Sequence, residues 1–140
     1  MPPDRESLLG LARLSDELGV LSVYVTAPAE ERSAPQPPWE IRMRTGLRDL
    51  VERLRETGPR ERLIALTARL EELEDDLAWL VDPATPGVGR ALFVPLGGGE
   101  PARVSLQAPL GDAVVLEPDA FVRPLVEAAE RAAPAGVVAV

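Results

Sequence analysis

The sequence predicts a domain of the α+β class, in which a mixed sheet of about four strands carries a long antiparallel helical hairpin on one face. A run of apolar, largely β-branched residues over 20–25 favours an internal strand. Leucines at alternating three- and four-residue steps over 63–80 predict a long helix. Short alternating segments after that helix are typical of strands. The predicted element order is α-β-α-α-β-β-β-α-β.

The chain is expected to open with a helix followed by the internal strand. Asp4 is a favoured N-cap residue, leucines at helical spacing predict a helix to about Leu18, and Gly19 is placed to end it. The strand over 20–25 is apolar on both faces, which indicates cover on both sides. Four prolines among charged residues over 28–38 then predict a loop.

The helical hairpin is predicted over 39–81. Trp39 opens its first arm, which continues to about Thr57, where Gly58-Pro59 stops the helix. The second arm carries an unbroken leucine ladder with the spacing of a coiled-coil seam. Its members are Leu63, Leu66, Leu70, Leu73, Leu77 and Leu80. Because a very short turn joins two arms that each carry a seam, we expect them to lie side by side in antiparallel order.

Three strands and a helix are predicted after the hairpin. The strands are 90–96, 103–107 and 113–116, and the helix is 121–132, with Pro124 in its first turn. The apolar segment 136–140 predicts a last strand. Because a buried strand needs a neighbour and cover on both faces, we expect residues 1–135 to form one domain and 136–140 to open a following one.

The composition excludes several kinds of chemistry. The 140 residues include no cysteine and no histidine, so disulfides, thiol nucleophiles and histidine-based catalysis or zinc binding are absent. All 15 basic residues are arginine, and the net charge of −8 argues against indiscriminate binding of nucleic acid, DNA included. No apolar run is long enough to span a membrane. We expect a cytoplasmic protein without catalytic residues, cofactor or metal in this chain.

Two features have the composition of a ligand site, and each has a plainer explanation. Gly97-Gly98-Gly99 could cradle a phosphate, but a strand rather than a helix follows it, which favours a hairpin turn. The acidic cluster over 71–76 with Asp82 could bind a divalent cation. Since the leucines occupy the inner face of that helix, a solvated surface is favoured. Tyr24, on a strand, is expected to be packed rather than catalytic.

Arginine is concentrated in the hairpin. Residues 42–69 contain eight arginines and four acids, whereas 71–82 contain six acids and no base. Four of the arginines surround Gly58 at the turn. They are Arg53, Arg55, Arg60 and Arg62. Guanidinium groups suit phosphate, which makes this turn a candidate phosphate-binding site. Alternatively, the arginines solubilise an exposed turn and pair with the neighbouring glutamates, and the residues alone leave both explanations open.

Three segments resemble the N-terminal domain of archaeal and eukaryotic class-1 peptide chain release factors. They resemble more closely the bacterial relatives of those factors, which include proteins grouped with Vms-type peptidyl-tRNA hydrolases. The segments are the strand over 19–28, the hairpin over 39–81 with the Ala91-Leu-Phe-Val strand, and the closing helix and strand over 121–140. The resemblance implies an A-site-directed, ribosome-targeting domain of a translation-termination or ribosome-rescue protein. The tip arginines would contact ribosomal RNA, and peptidyl-tRNA hydrolysis would belong to the family's middle domain.

The sequence departs from the family at its decoding motifs. The turn Glu56-Thr57-Gly58-Pro59-Arg60-Glu61 stands where the family carries Asn-Ile-Lys-Ser. The family's Tyr-x-Cys-x-x-x-Phe motif falls on 115–121, where Phe121 alone matches. The resemblance therefore implies ribosome binding without stop-codon reading. The rival hypothesis is an acidic protein-interaction module, in which the leucine-rich hairpin or the terminal strand pairs with a partner or with a second copy in a homodimer.

Overall fold

A computed structural model shows the predicted α+β fold and describes residues 5–31 and 37–131. The sheet has the strand order β3-β2-β1-β4. The strands are β1 (Ser15–Thr26), β2 (Gly89–Pro95), β3 (Ala102–Leu106) and β4 (Ala113–Asp119). The helices of this part of the chain are α1 (Arg5–Ala12), α2 (Pro38–Thr57), α3 (Arg60–Glu72), α4 (Glu74–Val81) and α5 (Arg123–Arg131). None of these helices combines the length and apolarity needed to cross a membrane.

The sheet is antiparallel throughout the described strands, where a mixed sheet was expected. β1 pairs with β2 on one side and with β4 on the other, and β3 pairs with the far side of β2. Residues 19–25 of β1 are all buried, which confirms the prediction of an internal strand. The predicted N-cap Asp4 and the predicted last strand over 136–140 lie outside the described residues.

Alternate residues of β1 serve two hydrophobic clusters, one on each face of the sheet. Leu21, Val23 and Val25 face the hairpin, where they pack with a large cluster that includes Trp39. Val20 and Tyr24 face the opposite side and pack with the residues of α1 and α5. The hairpin therefore covers one face, as predicted, and two short helices cover the other.

The first helix is shorter than the leucine spacing predicts. α1 ends at Ala12, so the prediction of a helix to Leu18 ended by Gly19 is wrong. The chain instead pairs with the end of β4, where the Ala120 N–H donates to the Leu14 carbonyl at 3.0 Å. Gly19 lies within β1 at φ 115°, beside an irregularity in the pairing, and a Cβ there would meet Leu116 Cδ1 at 2.7 Å. Long-range strand pairing thus overrides a local helical pattern.

The second arm of the hairpin consists of two helices instead of one. Leu73, at φ −99° and ψ 13°, separates α3 from α4 and contradicts the prediction of an unbroken helix. The break lets α3 pack on β1 while α4 packs on β2. The Trp39 Nε1–H donates to the Val81 carbonyl at 3.0 Å and joins the start of the first arm to the end of the second. The arms therefore lie antiparallel, as expected.

Candidate functional site

The hairpin tip, residues 52–62, projects from the part of the hairpin that packs on the sheet. The buried positions of α2 end at Leu50, and the first buried position of α3 is Leu66. Every residue of the tip is exposed or half-buried. The Gly58 N–H donates to the Leu54 carbonyl at 2.9 Å and closes α2. A Cβ on Gly58 would lie 2.5 Å from Leu54 Cδ2, so this tight turn requires glycine.

The four predicted arginines all lie within this tip, and three of them have no partner among the described residues. Arg55 forms an ion pair with Glu52, one turn earlier on α2. Arg53, Arg60 and Arg62 form no ion pair and no hydrogen bond with any described residue. Pairing with neighbouring glutamates therefore accounts for one arginine, and the guanidinium donors of the other three have no acceptor among residues 5–31 and 37–131.

Phe121, the matching position of the family's decoding motif, lies on the other face of the sheet. Its N–H donates to Ser22 Oγ at 3.0 Å, and its carbonyl accepts from the Tyr24 hydroxyl. The rings of Phe121 and Tyr24 meet edge to face with centroids 6.0 Å apart. Because Phe121 packs with the α1–α5 cluster, the structure does not bring it to the arginines of the tip.

Tyr24 is packed, in agreement with the prediction from its strand position. Its side chain is 1% exposed. Burial raises the pKa of its hydroxyl far above the ordinary value, although a backbone hydrogen bond at Leu125 opposes the change. Together with Ser22, this hydroxyl fixes the backbone that enters α5, which is a structural role.

The acidic cluster and the glycine-rich loop show no ligand site in the described part of the chain. No group of three acidic side chains is placed to hold a metal ion there. Asp76 pairs with Arg103 at 2.8 Å. The loop connects β2 to β3, and Gly98 and Gly99 adopt positive φ, as a turn requires. Arg69 ties this loop to α3 by donating to the carbonyls of Pro95 and Gly99.

Arg90 is a buried arginine whose importance the sequence analysis missed. It is 0% exposed, and its guanidinium donates to four main-chain carbonyls at the end of α4 and in the following turn. The acceptors are Leu80 at 2.8 Å, Asp82 at 2.7 Å, Thr85 at 2.9 Å and Gly87 at 3.2 Å. The available signal was a cation shortly after a helix C-terminus, where it complements the exposed carbonyls.

A groove between α2 and β4 is the second feature that the sequence did not reveal. It has a volume of about 420 Å³. Arg42, Gly46, Asp49 and Arg53 line it from α2, and Val114 lines it from β4. Arg53 therefore belongs to both the hairpin tip and the groove.

Comparison of the sequence with protein-family models finds no match, and comparison with curated proteins finds none either. The family resemblance therefore stays a prediction, based on element order and apolar pattern.

Proposed function

We propose that this chain is the A-site-directed, ribosome-targeting domain of a release-factor-like translation or ribosome-rescue protein. In this proposal, the hairpin tip binds the phosphates of ribosomal RNA. The observation that carries it is the grouping of Arg53, Arg60 and Arg62 on an exposed turn, without a partner among the described residues. The order of the described elements agrees with the resemblance and supports the family part of the proposal.

The charge distribution of the hairpin favours binding through the tip. The unpaired guanidinium groups offer forked donors that match phosphate oxygens. The acidic residues over 71–82 lie on α4 and around its ends, at the other end of the hairpin. Because the chain as a whole carries a charge of −8, most of its surface repels RNA. The repulsion directs the tip toward the phosphates and disfavours other orientations.

The proposal gives this chain a binding role and no catalytic residue. Hydrolysis of peptidyl-tRNA would belong to the middle domain that the resemblance implies. Phe121 and the edge-to-face packing around it would stabilise the scaffold, since Phe121 packs on the face of the sheet opposite the hairpin.

Co-sedimentation with 70S ribosomes tests the proposal. The tip variant replaces Arg53, Arg60 and Arg62 by glutamate. Because each of the three lost phosphate contacts costs about 1 kcal/mol, we expect this variant to bind about 100-fold more weakly. Circular dichroism should show an unchanged fold, since none of the three side chains has a partner among the described residues.

A matched control separates a specific site from a general effect of charge. The control variant replaces Arg13, Arg48 and Arg123 by glutamate, which changes the net charge by the same amount at exposed positions outside the tip. We expect this variant to pellet with ribosomes like the wild type. Equal pelleting of the tip variant and the wild type would refute the role of the hairpin, as would an equal loss in both variants.

The rival function, a protein-interaction module, has one observation in its favour. Ile41 on α2 and Ile64 on α3 are 51% and 56% exposed, so each arm of the hairpin carries a large exposed apolar side chain. A homodimer formed through these residues would be insensitive to salt. Analytical ultracentrifugation of the wild type and of Ile64→Ser tests it, since only an apolar interface would be weakened by this substitution.

A further inference from the structure

One face of α2 overhangs β4 and forms the wall of the groove. Arg42, Gly46, Asp49 and Arg53 follow at four-, three- and four-residue steps, so they share a face of the helix. At the centre of this face the helix touches the strand, because a Cβ on Gly46 would lie 2.7 Å from Val114 Cγ2. The groove of about 420 Å³ lies beside this contact, and its lining from the sheet is the start of β4, Ala113 and Val114, with Tyr24 of β1.

The strand that contributes to the groove, β4, is an outer strand of the described sheet. β4 is the last strand in the order β3-β2-β1-β4, so its outer side pairs with no described strand. Its register with β1 is regular over 113–117. Pro118 and Asp119 follow, and a proline and a charge are typical of positions where an edge stops pairing. A stretch of about five residues therefore offers main-chain donors and acceptors to an added strand.

We infer that this groove binds an extended peptide segment of a partner protein, which adds a strand to β4 and places an acidic side chain against Arg53. The three other charges in the groove already have partners. Arg42 Nε lies 2.7 Å from Asp112 Oδ2, and Asp49 Oδ1 lies 4.0 Å from Arg48 Nε. Arg53 is the charge in the groove without a partner in the described part of the chain.

The same charges argue for a peptide and against a nucleic acid in the groove. The carboxylates of Asp49 and Asp112 line it, and they would repel a phosphate backbone. An extended peptide satisfies the edge of β4 through its main chain and needs one acidic side chain. This inference goes beyond the proposed function, because RNA binding would use the tip and the peptide would use the groove. Arg53 belongs to both, so it can serve only one of the two ligands at a time.

The geometry also defines the spacing within the peptide. Gly46 and Arg53 are seven residues apart, which is about 10 Å along a helix axis. Side chains on one face of a strand recur every 6.8 Å or so. We therefore expect the bound peptide to place a small apolar residue near Gly46 and Val114. An acidic residue two or four positions from it in the peptide would then lie within reach of the long Arg53 side chain.

Titration of the ¹⁵N-labelled chain with synthetic peptides tests the inference. The probe is a blocked octapeptide, Thr-Val-Thr-Asp-Thr-Val-Thr-Val, and a second peptide carries arginine in place of aspartate. We expect the aspartate peptide to shift the amide signals of 113–117 and Gly46, and to bind about threefold more tightly than the arginine peptide. Arg53→Glu should reverse this preference. Arg60→Glu, a matched reversal on the tip but outside the groove, should leave it unchanged.

Several outcomes would overturn the inference. One is the absence of amide shifts at 113–117 up to about 5 mM peptide, because so weak an affinity excludes a specific site. Another is an equal effect of Arg53→Glu and Arg60→Glu on the peptide preference. A decauridylate RNA that shifts the groove signals would also overturn it, since the groove would then take nucleic acid. If Arg60→Glu no longer pellets with ribosomes but still binds the peptide, peptide binding by the groove is independent of RNA binding by the tip.

Discussion

Replacement of Arg90 by methionine is expected to destabilise the fold by about 4 kcal/mol. Methionine fills a similar volume and needs no hydrogen-bond partner, so the change removes the guanidinium donors and little packing. Three of the four acceptor carbonyls belong to the buried residues Leu80, Thr85 and Gly87. Loss of the guanidinium leaves the Leu80 and Thr85 carbonyls without a described partner, which costs about 3 kcal/mol at each. Burial of the methionine returns about 2 kcal/mol of that loss.

Urea unfolding followed by the fluorescence of Trp39 and Trp79 measures this loss. We expect the slope of the free energy of unfolding against urea concentration to stay unchanged, so the whole effect should appear as a lower unfolding midpoint. In thermal unfolding the same loss should lower the Tm by about 12 °C. The control is Arg13→Met, which removes an exposed arginine without a described partner and is expected to change stability by less than about 0.5 kcal/mol.

Arg90→Lys provides an internal scale for the same experiment. A lysine keeps the charge but has three donors on one nitrogen, so it cannot reach carbonyls on both sides of the turn. We expect a loss of about half that of methionine. A loss below about 1 kcal/mol in Arg90→Met would show that water replaces the arginine at these carbonyls, and the reasoning from buried acceptors would be wrong.

Three further predictions concern pH, packing and salt. Burial raises the pKa of Tyr24, so above about pH 10 the unfolded chain releases a proton that the folded chain keeps. Stability should then fall by about 1.4 kcal/mol per pH unit, and urea titrations at rising pH should show this fall in the wild type and not in Tyr24→Phe. Gly46→Ala should cost about 1 kcal/mol because its methyl meets Val114, and the double variant Gly46→Ala/Val114→Ala should lose less than the sum of the single losses in urea unfolding. Ribosome binding through three tip arginines should weaken with KCl with a log–log slope of about −2, and pelleting that does not respond to salt would contradict a phosphate-binding tip.

The hairpin could be predicted from the sequence because its signals are local. Trp39 opens the first arm, and Gly58-Pro59 ends it where expected. The exposed tip also follows from local pattern, since the apolar seam is interrupted there by charged residues. The break at Leu73 could not be predicted, because it adapts the second arm to the sheet rather than to its own leucine spacing.

The placement of Phe121 relative to the tip could not be predicted either. Which face of the sheet a residue serves depends on strand register, and a shift by one residue exchanges the two faces. Ser22 and Tyr24 hold Phe121 on the face of α1 and α5. The partner of an arginine is equally non-local. The sequence does not distinguish Arg90 from Arg53, yet Arg90 is fully buried, whereas Arg53 is exposed and has no partner within the described ranges.

The independence of the hairpin turn from the rest of the fold has an evolutionary consequence. None of residues 55–62 belongs to either hydrophobic cluster, so neither core constrains their identity. Glycine at 58 is the one steric requirement that we find in this stretch. Mutations there would carry little folding penalty, which lets selection rewrite the turn while the scaffold persists. Homologous chains that bind another partner should therefore differ at this turn while keeping the scaffold, and a foreign recognition loop grafted between the two arms should leave the fold intact.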